Sequence, residues 1–186
     1  MVVNQKYAND LEIILSHRYD NGSDYWTTAD KKIIKGSPFS TLESLMYLHE
    51  IGLCKDDLVF LNASELIFSV LQDDGRFKLY PTGAIYPCHT ISAVNTLCSI
   101  GYSNDARLCK SFSHLLQTRH TDGGWRCNKF SFGRGPETDC SNPFPTLNAL
   151  NAFRYNSNYE YDRELKDAVE FLLWHWDIRK PIGPCH

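Results

Sequence analysis

The sequence predicts an all-α fold, a leader helix followed by three helical hairpins that curve into an arc, and three observations predict it. First, a turn recurs: Asp74-Gly75-Arg76-Phe77 returns 48 positions on as Asp122-Gly123-Gly124-Trp125. Second, the segments around the turn recur too. His49-Glu50-Ile51-Gly52 matches Cys98-Ser99-Ile100-Gly101, and Ser37-Pro38-Phe39-Ser40-Thr41-Leu42 resembles Asn142-Pro143-Phe144-Pro145-Thr146-Leu147. Self-similarity at this period marks stacked supersecondary units. Third, apolar residues keep helical spacing. Leu165, Ala168, Val169, Leu172, Leu173 and Trp176 fall on one helical face, and Leu108, Phe112, Leu115 and Leu116 do the same. No segment alternates strictly over the length of a strand.

The elements follow in order. Residues 7–19 read as the leader helix, closed by Asp20-Asn21-Gly22-Ser23-Asp24-Tyr25-Trp26, a loose version of the recurring turn. The hairpins are expected at about 38–77, 87–125 and 143–176. Each runs from a Pro/Thr helix start through a short helix, a turn and a second helix to an Asp/Gly turn ending in an aromatic. Gly52 and Gly101 suit the left-handed conformation that ends a helix. Asp105 and Asp162 suit N-terminal caps. Glycines at 123 and 124 let the chain reverse tightly, Asp122 accepts backbone N–H bonds within the turn, and Trp125 packs between adjacent hairpins. The second helices carry His114 and His120, which read as solvated.

Residues 1–186 fit one helical-repeat domain. The net charge is −3 with Lys and Arg scattered, so no nucleic-acid partner is expected. No stretch approaches the roughly 20 apolar residues of a membrane span. The N-terminus shows no basic end followed by an apolar core, so no secretory signal is expected. Seven cysteines, an odd number, suit reduced thiols in a cytoplasmic setting.

The Gln117…Asp122-Gly123-Gly124-Trp125 turn and the repeated hairpins resemble the α/α-toroid proteins, namely the protein prenyltransferase β subunits and the squalene and terpene cyclases with their QW-type repeats. The resemblance covers residues 20–186, and the stretch from Asp122 to Phe153 looks like a prokaryotic prenyltransferase-like group of unassigned activity. It implies inner and outer helices around an apolar cavity. The chain departs from the family in two ways. Complete toroids use about six hairpins, whereas three are read here, ending at Pro184-Cys185-His186 where another inner helix would start. A partial ring, a truncated chain or half of a dimeric assembly is therefore expected. The acidic DxDD proton donor of the cyclases is also absent, since Gln72-Asp73-Asp74 lacks its first Asp.

Chemistry is expected at the inner-helix starts, which would share one rim. Tyr86-Pro87-Cys88-His89-Thr90, Thr138-Asp139-Cys140-Ser141-Asn142 and Gly183-Pro184-Cys185-His186 bring cysteines and histidines there, and Cys127 follows the turn towards the same edge. Cys88, Cys127, Cys140 and Cys185, with His89 and His186 as alternates, have the residue types of a zinc site. Helix N-termini favour thiolate ligands. The resemblance adds that protein prenyltransferases hold zinc through Asp, Cys and His near inner-helix starts. Asp139, Cys140 and His89 match those types in a different chain order. The competing reading is reduced cysteines packed as small apolar residues. Cys54, Cys98 and Cys109 read as packing or surface.

The loop Phe130-Ser131-Phe132-Gly133-Arg134-Gly135-Pro136-Glu137-Thr138 is a second candidate. Its glycines and Arg134 suit a diphosphate, flanked by Arg126 and Lys129, against a plain connecting loop with an Arg134–Glu137 pair. Tyr25, Trp26, Tyr86, Phe130, Phe132, Phe144 and Phe153 are the aromatics available to wall a cavity for an isoprenoid. The expected function is thus a prenyltransferase- or cyclase-like protein that binds or transforms an isoprenoid or similar apolar ligand, with zinc. The alternative is a non-catalytic helical-repeat binding module whose Cys/His rim is structural. Leu11, Ile14 and Leu15 on the leader and Leu172, Leu173 and Trp176 on the last helix are expected to lie uncovered, which predicts a homo-oligomer.

Overall fold

The computed structural model of the chain describes residues 5–35, 38–127, 140–159 and 163–179. It is all-α. The helices are α1 (Ala8–Ser16), α2 (Thr41–Glu50), α3 (Leu58–Phe68), α4 (Pro87–Leu97), α5 (Cys109–Gln117), α6 (Pro143–Arg154) and α7 (Lys166–Ile178). Among the described residues, extended pairing is confined to isolated bridges: Gly22 with Thr28, Leu71 with Phe77, and Lys78 with Ile85. The helices form two rows. In one, α4 packs between α2 and α6; α3, α5 and α7 lie against α2, α4 and α6 in turn, and α1 leans on α2.

Local chemistry sets the helix ends. Ser40 and Glu43 close a reciprocal capping box on α2. Pro87 and Pro143 occupy the first positions of α4 and α6, where a missing N–H costs nothing. Gly52 and Gly101 take φ of +106° and +104° just past α2 and α4. Asp105 accepts the Arg107 N–H at 2.9 Å and starts the 3-10 turn leading into α5. Asp162 lies outside the described residues.

The repeat has a common latch. Gln72 N–H donates to the Arg76 carbonyl and His120 N–H to the Gly124 carbonyl, both at 2.8 Å, so the two Asp-Gly turns share one backbone path. The aromatic that ends each turn is then caught by a threonine of the next inner helix. Phe77 N–H donates to Thr90 Oγ1 and Trp125 N–H to Thr146 Oγ1, each at 3.0 Å. At the first turn, Thr41 Oγ1 donates to the Tyr25 carbonyl at 2.8 Å. The indoles of Trp26 and Trp125 donate back to the helices before them, at Ile14 and Leu115 carbonyls, both at 2.9 Å. One apolar core, from Ile14 to Ala168, surrounds these rings. A polar link crosses it between α4 and α6. Asn151 donates to Asn95 Oδ1 at 2.7 Å, satisfying a side chain otherwise costly to bury.

The leader face expected to lie uncovered is corrected, whereas Leu173 and Trp176 of the last helix are exposed as expected. On α1, Ile14 is buried and Leu11 and Leu15 pack on the core, while Ile13 is exposed. On α7 the core side is Ala168 and Phe171; Val169, Leu173 and Trp176 turn outward. The helix carries more apolar residues than one face holds, so spacing alone could not say which stripe faces in.

Candidate functional site

The starts of α2, α4 and α6 do converge on one cavity, of about 390 Å³. Its apolar wall includes Ile34, Leu42, Phe144 and Pro145, and its polar side carries Glu43, Cys88, His89 and Cys127. Each of the three inner helices contributes through its first turn. Cys88 is the second residue of α4, placed by the proline before it. Cys127 is fixed from α6: Asn142 N–H donates to the Trp125 carbonyl, and Cys127 N–H donates back to Asn142 Oδ1, both at 2.8 Å.

These two anchors set Cys88 Sγ and Cys127 Sγ 3.6 Å apart. A disulfide needs roughly 2.0 Å, so the pair is two thiols in contact. Two sulfurs at roughly 2.3 Å from one tetrahedral zinc would be about 3.8 Å apart. The observed spacing therefore suits two ligands of one ion with little movement. His89 follows Cys88, its ring edge-on to Tyr86 with centroids 5.0 Å apart. Tyr86 itself is half-buried at the N-cap of α4, supporting His89 rather than lining this cavity.

Cys140 lines a different cavity, with Asp122, Asp167 and Trp174. The structure thus brings Cys88 and Cys127 into contact. Cys185, His186, Phe130, Phe132 and Arg134 lie outside the described residues. Among the described residues, no three His, Cys, Asp or Glu side chains gather as a metal-holding group. Cys98 is buried in the core, and burial pushes its thiol up to about 12. Cys54 and Cys109 are on the surface.

Of the aromatics, Phe144 stands 56% exposed at the cavity wall. Trp26 and Phe153 are wholly buried and serve the core. Tyr25 is half-buried beneath the Arg18 guanidinium, 4.3 Å from its ring centroid. Asp122 is an anchor of the chain. It accepts the N–H and hydroxyl of Ser141, at 2.8 and 2.5 Å, and the N–H of Gly124 at 3.2 Å. Burial works to raise its carboxyl, but these hydrogen bonds outweigh it and hold Asp122 below the usual carboxylate range.

His114 and His120 are not solvated. Both are half-buried and line a further cavity, of about 350 Å³, between α4 and α5. Arg76, Arg119 and Arg126 line it with them. Linear spacing does not reveal this group, because Arg76 lies 38 or more positions from the others. The repeat does hold a signal, since stacking the second and third units superposes their Asp-Gly turns.

Among the described residues, no helix is long and apolar enough to cross a membrane. No protein-family model matches the chain, and no curated protein matches it significantly.

Proposed function

We propose that the chain is an α/α-toroid-type hairpin protein of the prenyltransferase and terpene-cyclase kind, which takes an isoprenoid-like apolar ligand into the cavity where α2, α4 and α6 begin. Cys88 and Cys127 would hold a zinc ion at its edge, in a reducing, cytoplasmic setting. The observation that carries this reading is the 3.6 Å contact of the two thiols at the meeting point of all three inner-helix starts. His89, Cys140, Cys185 and His186 remain the candidates for completing the ligand set. Bound there, zinc would polarise a leaving group or activate a thiolate. The chain's own part is to hold Cys127 through Asn142, to orient Cys88 on the α4 start, and to offer Leu42, Ile34 and Phe144 to an apolar chain.

Two measurements test the two halves separately. Elemental analysis of the purified chain should find about one zinc per chain, falling to background in Cys88→Ser and Cys127→Ser. Titration with a prenyl alcohol should show saturable binding that Phe144→Ala weakens. Zinc absent from the freshly purified protein would overturn the metal half. Unsaturable prenyl binding would overturn the ligand half.

The alternative, a non-catalytic binding module that self-associates, is favoured by the outer face of α7. Leu173, Trp174, Trp176 and Ile178 are all exposed there. Exposed apolar patches of this kind mark interaction sites. Light scattering showing a dimer that Trp176→Glu converts to monomer, with neither zinc nor prenyl binding, would favour it.

A further inference from the structure

The second cavity lies inside the α4–α5 hairpin, and its lining does not include the paired thiols. Its floor is apolar: Ile85, Pro87, Ile91, Leu115 and Trp125. Its polar lining is Arg76, His114, Thr118, Arg119, His120 and Arg126, and no carboxylate lines it among the described residues. The chain is acidic, with a net charge of −3, yet three of its nine arginines and two of its seven histidines meet around this one space. Like charges drawn together in a concave, partly apolar site raise the local potential and concentrate anions.

The arginines are also held in place from outside the cavity. Asp74 accepts from Arg76 Nε at 2.8 Å and Nη2 at 2.5 Å. Glu164 accepts from Arg119 Nη2 at 2.7 Å, and the Leu116 carbonyl accepts from Arg119 Nε at 3.2 Å. Arg119 Nη1 also donates to the Glu164 carbonyl, so all three of its nitrogens are engaged, whereas Arg76 is bonded through Nε and Nη2 alone and keeps further donors of its five. Burial, with the Arg76 charge second, lowers His114 against the opposing pull of Asp74. His120 stands 3.2 Å from Asp122. His114 therefore adds a donor without adding full charge to the wall.

We infer that the cavity between α4 and α5 is a binding site for a small oxyanion, a phosphate or phosphate ester, gripped by Arg76, Arg119 and Arg126 with His114 as a further donor. Planar guanidiniums suit phosphate oxygens because paired N–H groups match them geometrically. The cavity volume is within the range of small-molecule sites, and the apolar floor gives room for the organic part of an ester.

The experiment is titration of the full chain with inorganic phosphate at constant ionic strength, followed by calorimetry and by amide chemical shifts. Saturable binding is expected, at one site per chain, with the largest shifts at Arg76, His114 and Thr118. Arg76→Gln should weaken it about tenfold or more, the loss of one charge-assisted contact. His114→Gln should weaken it less. Arg76→Lys should restore part of the affinity and so separate loss of charge from loss of fold. Unsaturable binding would overturn the inference. So would unchanged affinity in both Arg76→Gln and His114→Gln, or an equal loss in the distant control Lys55→Gln.

Discussion

The turn at 72–77 and the turn at 120–125 follow the same backbone path, yet their aspartates do different things. Asp74 is on the surface and pairs with Arg76 two residues on. Asp122 is turned into the chain and holds Ser141, at the approach to α6. The difference lies at one position. Where the second unit has Arg76, the third has Gly124, and a Cβ there would lie 2.6 Å from Ser141 Cβ and 2.8 Å from Thr146 Oγ1. Glycine lets the next segment close over the turn and bring Ser141 to Asp122. Arginine keeps that space open, and the open space is the cationic cavity. A repeat thus fixes the backbone and leaves one residue to decide between an anchor and a site.

What the turns share should be the hardest to break. Gly75 and Gly123 have φ of +87° and +86°. A Cβ on Gly75 would lie 2.4 Å from the Lys110 carbonyl carbon, and one on Gly123 would lie 2.8 Å from that of Asp167 and 2.9 Å from the Ala168 nitrogen. Each glycine therefore meets the backbone of the outer helix that follows. Alanine at either would add left-handed strain to overpacking against atoms that cannot rotate away, about 4 kcal/mol together. Gly52→Ala is the control. It has φ of +106° with nothing within 4 Å of its Cβ, so only the strain remains, about 1–2 kcal/mol. Urea unfolding of the three variants should show that ranking. Equal losses at all three would mean the contact with the next helix contributes nothing.

The aromatic that ends each turn gives a smaller test. Phe77 occupies the place of Trp125 and lacks an indole N–H, so the fold tolerates either ring. At the third unit, however, Trp125 Nε1 donates to the Leu115 carbonyl in the core. Trp125→Phe should leave that carbonyl with one bond fewer and a void, a loss of about 2–3 kcal/mol by thermal melting. Trp26→Phe should cost a similar amount through Ile14. A loss confined to one of the two would break the equivalence of the first and third turns.

These partners explain what could be read without coordinates. Spacing and turn chemistry are local, so the all-helical fold, the helix-ending glycines and the Asp122 bond to a backbone N–H within its own turn were legible in the sequence. The convergence of Cys88 and Cys127 was legible as well, because equivalent repeat positions share a rim. The covering of Leu11, Ile14 and Leu15 on the leader was not, since it depends on how α1 leans on α2. Nor was the cavity that Cys140 lines with Asp122, Asp167 and Trp174. Asp122 draws in Ser141, its direct neighbour, and that carries Cys140 towards the α7 side. The cationic cavity was hidden for the opposite reason: its residues are unremarkable singly and meet only when successive turns stack.

The smallest expected effect separates the two aspartates by pH. Burial opposes the charge of Asp122, but the Ser141 and Gly124 donors prevail and keep its carboxyl below the usual range. Its folded-state value is thus depressed relative to the unfolded chain. The stabilisation is present above the unfolded value and is lost as pH falls through the folded one. Asp122→Asn should therefore melt lower than the parent at neutral pH, and the two should converge in acid. The side chain is 28% exposed, so solvent screening limits the difference to about 1 kcal/mol. Asp74 is also depressed, chiefly by the Arg76 side chain, but on the surface. Asp74→Asn should change the melt little, and added salt should erase what change there is. If Asp122→Asn instead keeps a constant deficit from neutral pH into acid, Ser141 is held by the shape of the side chain rather than by its charge. The contrast between the two turns would then rest on Gly124 alone.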